Sequence, residues 1–447
     1  MSTPDVARLR HGPILPTLLR LAAPSVLAML LQVLVGIAET YYMGRLGTAP
    51  LAAMALVFPF AMLTQMLSSG AMGGGVSSAV SRALGAGDGA RAAALARHAV
   101  AIGLALGLVY LAIMQLGGPY FYAWLGGRGE VLAEAARFSA VLFLGAPLVW
   151  LANTLASILR GTGNMRAPSV AIAAGALLQV VLGGALGLGA GPLPSLGMPG
   201  VALGHIVATA VMVALLYGVL SGGEARVRLV WRGPRLQKAL LVDILRVGAL
   251  SCLSPLMSVL SVLIFTGFIA RLGLLPLAGY GIGQRLEFLL VPISFGIGVA
   301  AVPMVGMAIG AGDVARARRV AWIAGAASAL NLGVLGGVVA FWPDVWAGLF
   351  SSDPGVLGHA RDYLRTVGPA FALFGLGLTL YFASQGSGRV LGPVLAGALR
   401  PLLVAGGGWW LVQRGAGPSA YFALVALAMG AYGLATALAV RLSRWGR

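Results

Sequence analysis

The sequence predicts an all-α polytopic membrane protein: twelve transmembrane helices in two six-helix lobes related by a pseudo-twofold axis. Three observations carry that expectation. Only 9% of the residues are charged and 59% are hydrophobic, whereas a soluble domain carries roughly 25% charged residues. Apolar runs long enough to cross a bilayer recur along the chain, each of roughly 18 residues or more. Short motifs then repeat in the same order about 225 residues apart. A β-barrel would show short alternating segments instead.

Residues 1–15 are polar and basic, with Arg8, Arg10 and His11, and read as a short interfacial segment. They lack the short apolar core and small-residue cleavage site of a removable signal peptide. Twelve spans follow at 16–42, 50–80, 92–117, 132–159, 168–190, 197–220, 243–270, 276–305, 318–341, 360–384, 391–413 and 419–441. The longest polar insert, Gly222 to Lys238, carries Glu224, Arg226, Arg228, Arg232, Arg235 and Lys238 and falls at the midpoint. The division expected is an N-lobe over 1–221, a basic linker over 222–242 and a C-lobe over 243–447.

The net charge of +18 could suggest nucleic acid. The Arg residues, however, sit in short loops rather than on one soluble face, which fits a membrane protein and no nucleic-acid partner. Both chain ends and the even-numbered loops hold 21 of the 30 Lys and Arg residues, the opposite loops 7. The bias places both termini in the cytoplasm, and a multi-pass chain of this kind is expected in the inner (plasma) membrane.

The midpoint linker suggests duplication. Gly85-Ala-Gly-Asp-Gly-Ala-Arg-Ala92 recurs as Gly310-Ala-Gly-Asp-Val-Ala-Arg-Ala317. Arg45-Leu-Gly47 with Pro50 recurs as Arg271-Leu-Gly273 with Pro276, and Gly161-Thr-Gly163 with Pro168 as Gly386-Ser-Gly388 with Pro393. Six helices per repeat keep both halves in the same topology. The axis then runs along the membrane normal, and a site is expected near the midplane between the lobes.

Of the 12 acids, Glu39 and Glu287 lie well inside spans. An intramembrane carboxyl group is a functional-site candidate. Glu39 closes the first span and shares a helical face with Gln32, Val35, Gly36 and Tyr42. Glu287 shares a face with Tyr280, Gly283 and Gln284, and lies eleven residues past Pro276, roughly 16 Å deep at ~1.5 Å per residue. Desolvation penalises the charged form of a carboxyl group, so groups of this kind can take up and release protons near neutral pH. An ion pair with Arg285 or Arg400 is the structural alternative for Glu287. Residues two apart point to different faces, which makes Arg285 the more awkward partner.

Offset by 226, Glu39 maps to Phe265 and Gln32 to Ser258. Ser251, Ser254, Ser258 and Ser261 form one stripe on the seventh span, matching the Glu39 face of the first. Such stripes serve close helix packing or line a cavity. Met62, Met66 and Met72 offer an adaptable wall. Asn153 and Gln179 are polar, mid-span, and each needs a partner. The substrate-cavity candidates are therefore Gln32, Tyr42, Met66, Asn153, Gln179, Ser258, Tyr280 and Gln284.

The sequence has no Gly-x-Ser-x-Gly, no His-Glu-x-x-His, no Walker A run and no His pair at metal spacing, so neither an enzyme nor a metal site is expected. The single cysteine, Cys252, excludes an internal disulfide.

These motifs resemble the multidrug and toxic compound extrusion (MATE) family over essentially the whole chain. The likeness rests on Met43-Gly-Arg-Leu-Gly47, Gly85-Ala-Gly87, Arg160-Gly-Thr-Gly-Asn164 with Pro168, Tyr280-Gly-Ile-Gly-Gln-Arg-Leu-Glu287 with Pro292, and Gly310-Ala-Gly312. The resemblance implies two six-helix lobes in a V shape, acting as a monomeric antiporter. Such a protein exports organic cationic or amphipathic compounds by alternating access in exchange for H⁺ or Na⁺, with no cofactor. The family's helix 1 acid, usually Asp, matches Glu39. The DinF-like branch's helix 5 Asn and Asp fall on Gln179 and Gly183. The NorM-like acids of helices 7 and 10 meet only Ser, Thr, Gln and Tyr here. These departures remove the usual Na⁺ cage and favour H⁺ coupling through Glu39 with Glu287 as accessory, closer to the DinF-like type. A flippase for a lipid-linked precursor and Na⁺-coupled export are the alternatives.

Overall fold

A computed structural model describes residues 6–189, 194–222, 226–229 and 236–446. Glu224, Arg232, Arg235 and the side chain of Arg8 lie outside the described residues.

The described chain is helical throughout. In order come α1 (Val6–His11), α2 (Ile14–Leu46), α3 (Thr48–Gln65), a π-helical turn (Met66–Met72) and α4 (Gly73–Gly85). Next are α5 (Gly89–Trp124), α6 (Gly129–Leu144), α7 (Ala146–Gly161), α8 (Arg166–Leu188) and α9 (Met198–Ser221). The second half begins with α10 (Lys238–Ser251), α11 (Leu253–Ala270), α12 (Leu274–Gly310), α13 (Val314–Phe341) and the short α14 (Asp344–Ala347). It ends with α15 (Pro354–Val367), a 3₁₀ turn (Gly368–Ala370), α16 (Phe371–Ser387), α17 (Leu391–Gln413) and α18 (Pro418–Leu442). Eleven helices or contiguous helix runs are long and apolar enough to cross a membrane; α6 and α7, bent by 43°, complete a twelfth as one broken span. Large apolar side chains such as Leu27, Leu116, Leu177, Leu330 and Leu402 are exposed, as a hydrocarbon solvent favours.

The repeated motifs fold alike. Asp88 caps α5 by accepting from the Arg91 N–H at 2.8 Å, and Asp313 caps α13 from Arg316 at the same distance. The glycines before these caps, Gly87 and Gly312, take φ of 79° and 81°. That left-handed backbone disfavours a side chain, which is why the Gly-Ala-Gly-Asp motif survives in both halves.

The helices form two compact units. One holds Ala23–Gly248; the other holds the described chain up to Ala22 together with the chain from Ala249 on. The two boundaries fall at equivalent places of the repeat, so the opening turns of each repeat's first long helix belong to the other repeat's unit. In the first unit α10 lies against α4: a Cβ on Gly75 would sit 2.7 Å from the Gly248 nitrogen. Asp243 bridges Arg82 at 2.7 Å and Arg91 at 2.9 Å. His98, fully buried, accepts the Gln237 N–H at Nε2 and stands 2.7 Å from the Ala94 carbonyl through Nδ1. In the second unit Arg316 donates to the carbonyls of Leu9 and Gly12. Each core is aromatic-rich: Tyr110, Tyr122 and Phe138 in the first, Tyr363, Phe371 and Phe422 in the second.

Candidate transport site

In the first unit the site is built where α2 meets α8. Glu39 is half-buried, and its Oε1 accepts the Gln179 side-chain amide at 2.6 Å. One turn on, the Tyr42 hydroxyl donates to the Val180 carbonyl at 3.0 Å. Gly184 makes room for that ring, since a Cβ there would stand 3.1 Å from it. Three of the sequence candidates, Glu39, Tyr42 and Gln179, are thus brought together. Among the described residues no Lys, Arg or His pairs with Glu39. Its partner is a neutral amide.

Asn153 stands in the same unit on α7. Its Nδ2 donates to Ser68 Oγ at 2.8 Å and to Gln65 Oε1 at 3.1 Å. Ser68 lies in the π-helical turn, which Met66 opens, half-buried. π-turns recur at functional sites because they re-aim side chains within a helix.

The second unit has an acid of its own. Glu287 on α12 accepts a hydrogen bond from the Tyr363 hydroxyl of α15. Both line a cavity of about 20 Å³, with Tyr280, Phe265, Arg400 and Val404 among the other walls. That volume suits roughly one water molecule. The Tyr280 ring stacks edge-on against Phe265 and Tyr363, with centroids 4.9 and 5.6 Å away. Arg400 shares this cavity but stacks on Phe374 at 5.1 Å, and no ion pair joins it to Glu287 among the described residues. Arg285 is exposed and stacks on Phe350, also at 5.1 Å.

The repeat relates the two places. Phe265 and Val404 occupy the positions of Glu39 and Gln179, and both line the second unit's cavity. The polar pair of one half is an apolar pair in the other, whose acid comes from the next helix. Of the remaining candidates, Gln32 is exposed, and Ser258 and Gln284 are half-buried. None of these three hydrogen-bonds to either acid among the described residues. Ser261, from the same serine stripe, reaches the cavity wall.

Sequence reasoning missed Tyr363 and Gln65. Tyr363 follows Arg361 and Asp362, which read as a span end. The buried set Ala360, Tyr363, Leu364 and Val367 has the 3- and 4-residue spacing of an inward helix face, and that signal marks it. Gln65 shows no such pattern.

The MatE family model matches residues 24–184 and 251–409. Among curated proteins, the chain is 25% identical over 384 residues to the FAD transporter of Shewanella oneidensis, covering 84% of this chain and 83% of that one. It is 24% identical to a probable multidrug resistance protein NorM of Thermotoga maritima, over 85% of this chain and 81% of the relative. It is 25% identical to the multidrug export protein MepA of Staphylococcus saprophyticus, over 87% and 85%. Among solved structures, a MOP superfamily transporter from Pyrococcus furiosus superposes with a TM-score of 0.90 at 23% identity, covering 99% of this chain and 98% of that one. An outward-facing multidrug-resistance MATE family transporter gives 0.89 at 23%, with the same coverage. These structures establish the fold the chain shares with them.

Proposed function

Since the chain belongs to the MatE family, we propose that it exports organic cationic or amphipathic compounds in exchange for H⁺, with Glu39 as the group that exchanges them. The observation that carries this is the hydrogen bond from Gln179, a neutral donor, to a carboxyl group that no Lys, Arg or His pairs with among the described residues. A cationic compound and a proton compete for the same oxygen atoms, and their competition couples the two fluxes. Glu287 acts as accessory, its carboxyl group steadied by Tyr363. The protein works as a monomer by alternating access in the inner membrane, with both termini in the cytoplasm, the side that the Lys and Arg bias favours. The polar pair on the first repeat makes it closer to the DinF-like type. Everted vesicles test this: Glu39→Gln should abolish efflux driven by a pH gradient while the protein stays folded, and undiminished efflux would reject the role.

A second reading rests on Arg400, a cation in the same cavity as Glu287. It favours an anionic passenger, such as the flavin dinucleotide named for the Shewanella relative or the diphosphate of a lipid-linked precursor. Competition binding separates the two: displacement of an ethidium-like cation supports the first, displacement by a nucleotide diphosphate the second.

A further inference from the structure

The second unit sets a cation beside its acid. Arg400 of α17 and Glu287 of α12 border one cavity of about 20 Å³, room for roughly one water molecule. Tyr280, Tyr363 and Ser261 supply the other polar groups of its wall, and apolar side chains of α11, α17 and α18 the rest. Among the described residues that line it, Arg400 is the only cation and Glu287 the only acid. Unlike charges on the walls of so small a space attract far more strongly than the same pair in bulk water.

Each charge is held in place from its own side. The Tyr363 hydroxyl donates to the Glu287 carboxyl group. The Arg400 guanidinium lies over the Phe374 ring, 5.1 Å from its centroid, and Phe374 in turn meets Tyr432 at 6.1 Å. A ring takes the face of a guanidinium and leaves its N–H edge open. Among the described residues the Arg400 side chain makes no ion pair and no hydrogen bond with that edge. The two repeats differ here. Gly175 stands in the first repeat where Arg400 stands in the second. The same position of the scaffold is therefore filled without a cation in the other half, and a charge inside a membrane span is too costly to serve packing alone.

We propose that Arg400 is the tethered counter-cation of Glu287 and keeps this acid closed to mobile cations. The Phe374 ring fixes the guanidinium by its face, and the N–H edge balances the carboxylate across the cavity. With a cation of its own, Glu287 does not take up the passenger, and the exchange of a cation for a proton falls to Glu39. Arg400 thus decides which of the two acids the passenger meets. This deepens, and rests on, the reading of Glu287 as the accessory acid.

Chemical rescue tests this on the full-length protein in detergent, read as the thermal unfolding midpoint. The probe is guanidinium chloride at millimolar concentration, far below denaturing strength, against N-methylglucamine chloride of equal ionic strength. Wild type should not respond. Arg400→Ala removes the tethered cation and leaves room for a free guanidinium beside Glu287. It should unfold a few degrees earlier than wild type, and the free guanidinium should recover most of that shift. Adding Glu287→Gln should abolish the recovery, because the anion that binds the probe is gone. An Arg400 that serves packing alone would give the early unfolding with no dependence on Glu287. Should Arg400→Ala fail to fold, Arg400→Lys and Arg400→Gln replace it. Arg400→Lys should then unfold later than Arg400→Gln, and the difference should vanish once Glu287→Gln is added to both. A wild type that gains as much as Arg400→Ala, no recovery in Arg400→Ala, or a recovery or Lys-over-Gln difference that survives Glu287→Gln overturns the inference. Efflux driven by a pH gradient, read on Glu287→Gln alone, tests the accessory role separately from the rescue.

Discussion

Gln179 donates its side-chain amide to Glu39 at 2.6 Å, while the residues at the same places of the second repeat, Val404 and Phe265, are apolar walls of a cavity. The duplicated scaffold thus keeps one polar pair in one half. A scaffold retained for packing alone would have no use for that asymmetry, since a carboxyl group inside a membrane helix costs about 2.5 kcal/mol or more.

Removing the amide exposes what it does. Gln179→Leu should leave Glu39 without its donor and cost about 1–3 kcal/mol of stability. It should also cut coupled efflux several-fold. Thermal unfolding and vesicle transport, measured on one preparation, check both.

Tyr363 holds Glu287 in the second unit. Tyr363→Phe deletes one hydroxyl and should cost about 1–3 kcal/mol, because it leaves a half-buried carboxyl group unpartnered. Combining it with Glu287→Met should recover most of that loss, since replacing both partners by apolar groups removes the orphan. A double-mutant cycle in thermal unfolding reads the coupling directly.

The opening turns of α10 are held to the first unit by Asp243 between Arg82 and Arg91 and by His98 on the Gln237 amide. The carbonyl of Ala94 only accepts and the Gln237 N–H only donates. Asp243→Asn should cost about 1 kcal/mol, the small value expected of a part-exposed pair. His98→Phe should accelerate hydrogen exchange at Gln237 and the first turn of α10 without altering exchange in α12.

Two glycines should behave in opposite ways. At Gly75 a methyl group would meet the backbone of Gly248 and Ile244 at 2.7–2.9 Å, so Gly75→Ala should destabilise by roughly 1–3 kcal/mol. At Gly36 nothing lies within 4 Å. Gly36→Ala there should be neutral or should stabilise by about 0.5–1 kcal/mol through helix propensity. Unfolding midpoints of the purified variants rank them.

Much of the fold was legible in the sequence. Long apolar runs gave the spans, and the Gly-Ala-Gly-Asp repeats gave the duplication, because a positive φ at Gly87 and Gly312 is a constraint that substitution cannot hide. Gly145 and Pro147 mark the break between α6 and α7, a signal a reading of one continuous span passes over. The π-turn at Met66–Met72 leaves no such mark, because it keeps helical composition and changes only the hydrogen-bond register. At the site, the lone mid-span acids stood out by their cost in hydrocarbon. Their partners did not. Gln179 is 140 residues from Glu39 and Tyr363 is 76 from Glu287, and one sequence carries no record of which distant helices meet.

The most direct measurement is proton release from the purified protein in weakly buffered, Na⁺-free detergent solution when an ethidium-like cation is added. The account predicts release from wild type that saturates with the cation, persists without Na⁺, and is lost in Glu39→Gln. Release unchanged in Glu39→Gln, or release that appears only when Na⁺ is supplied, would contradict it.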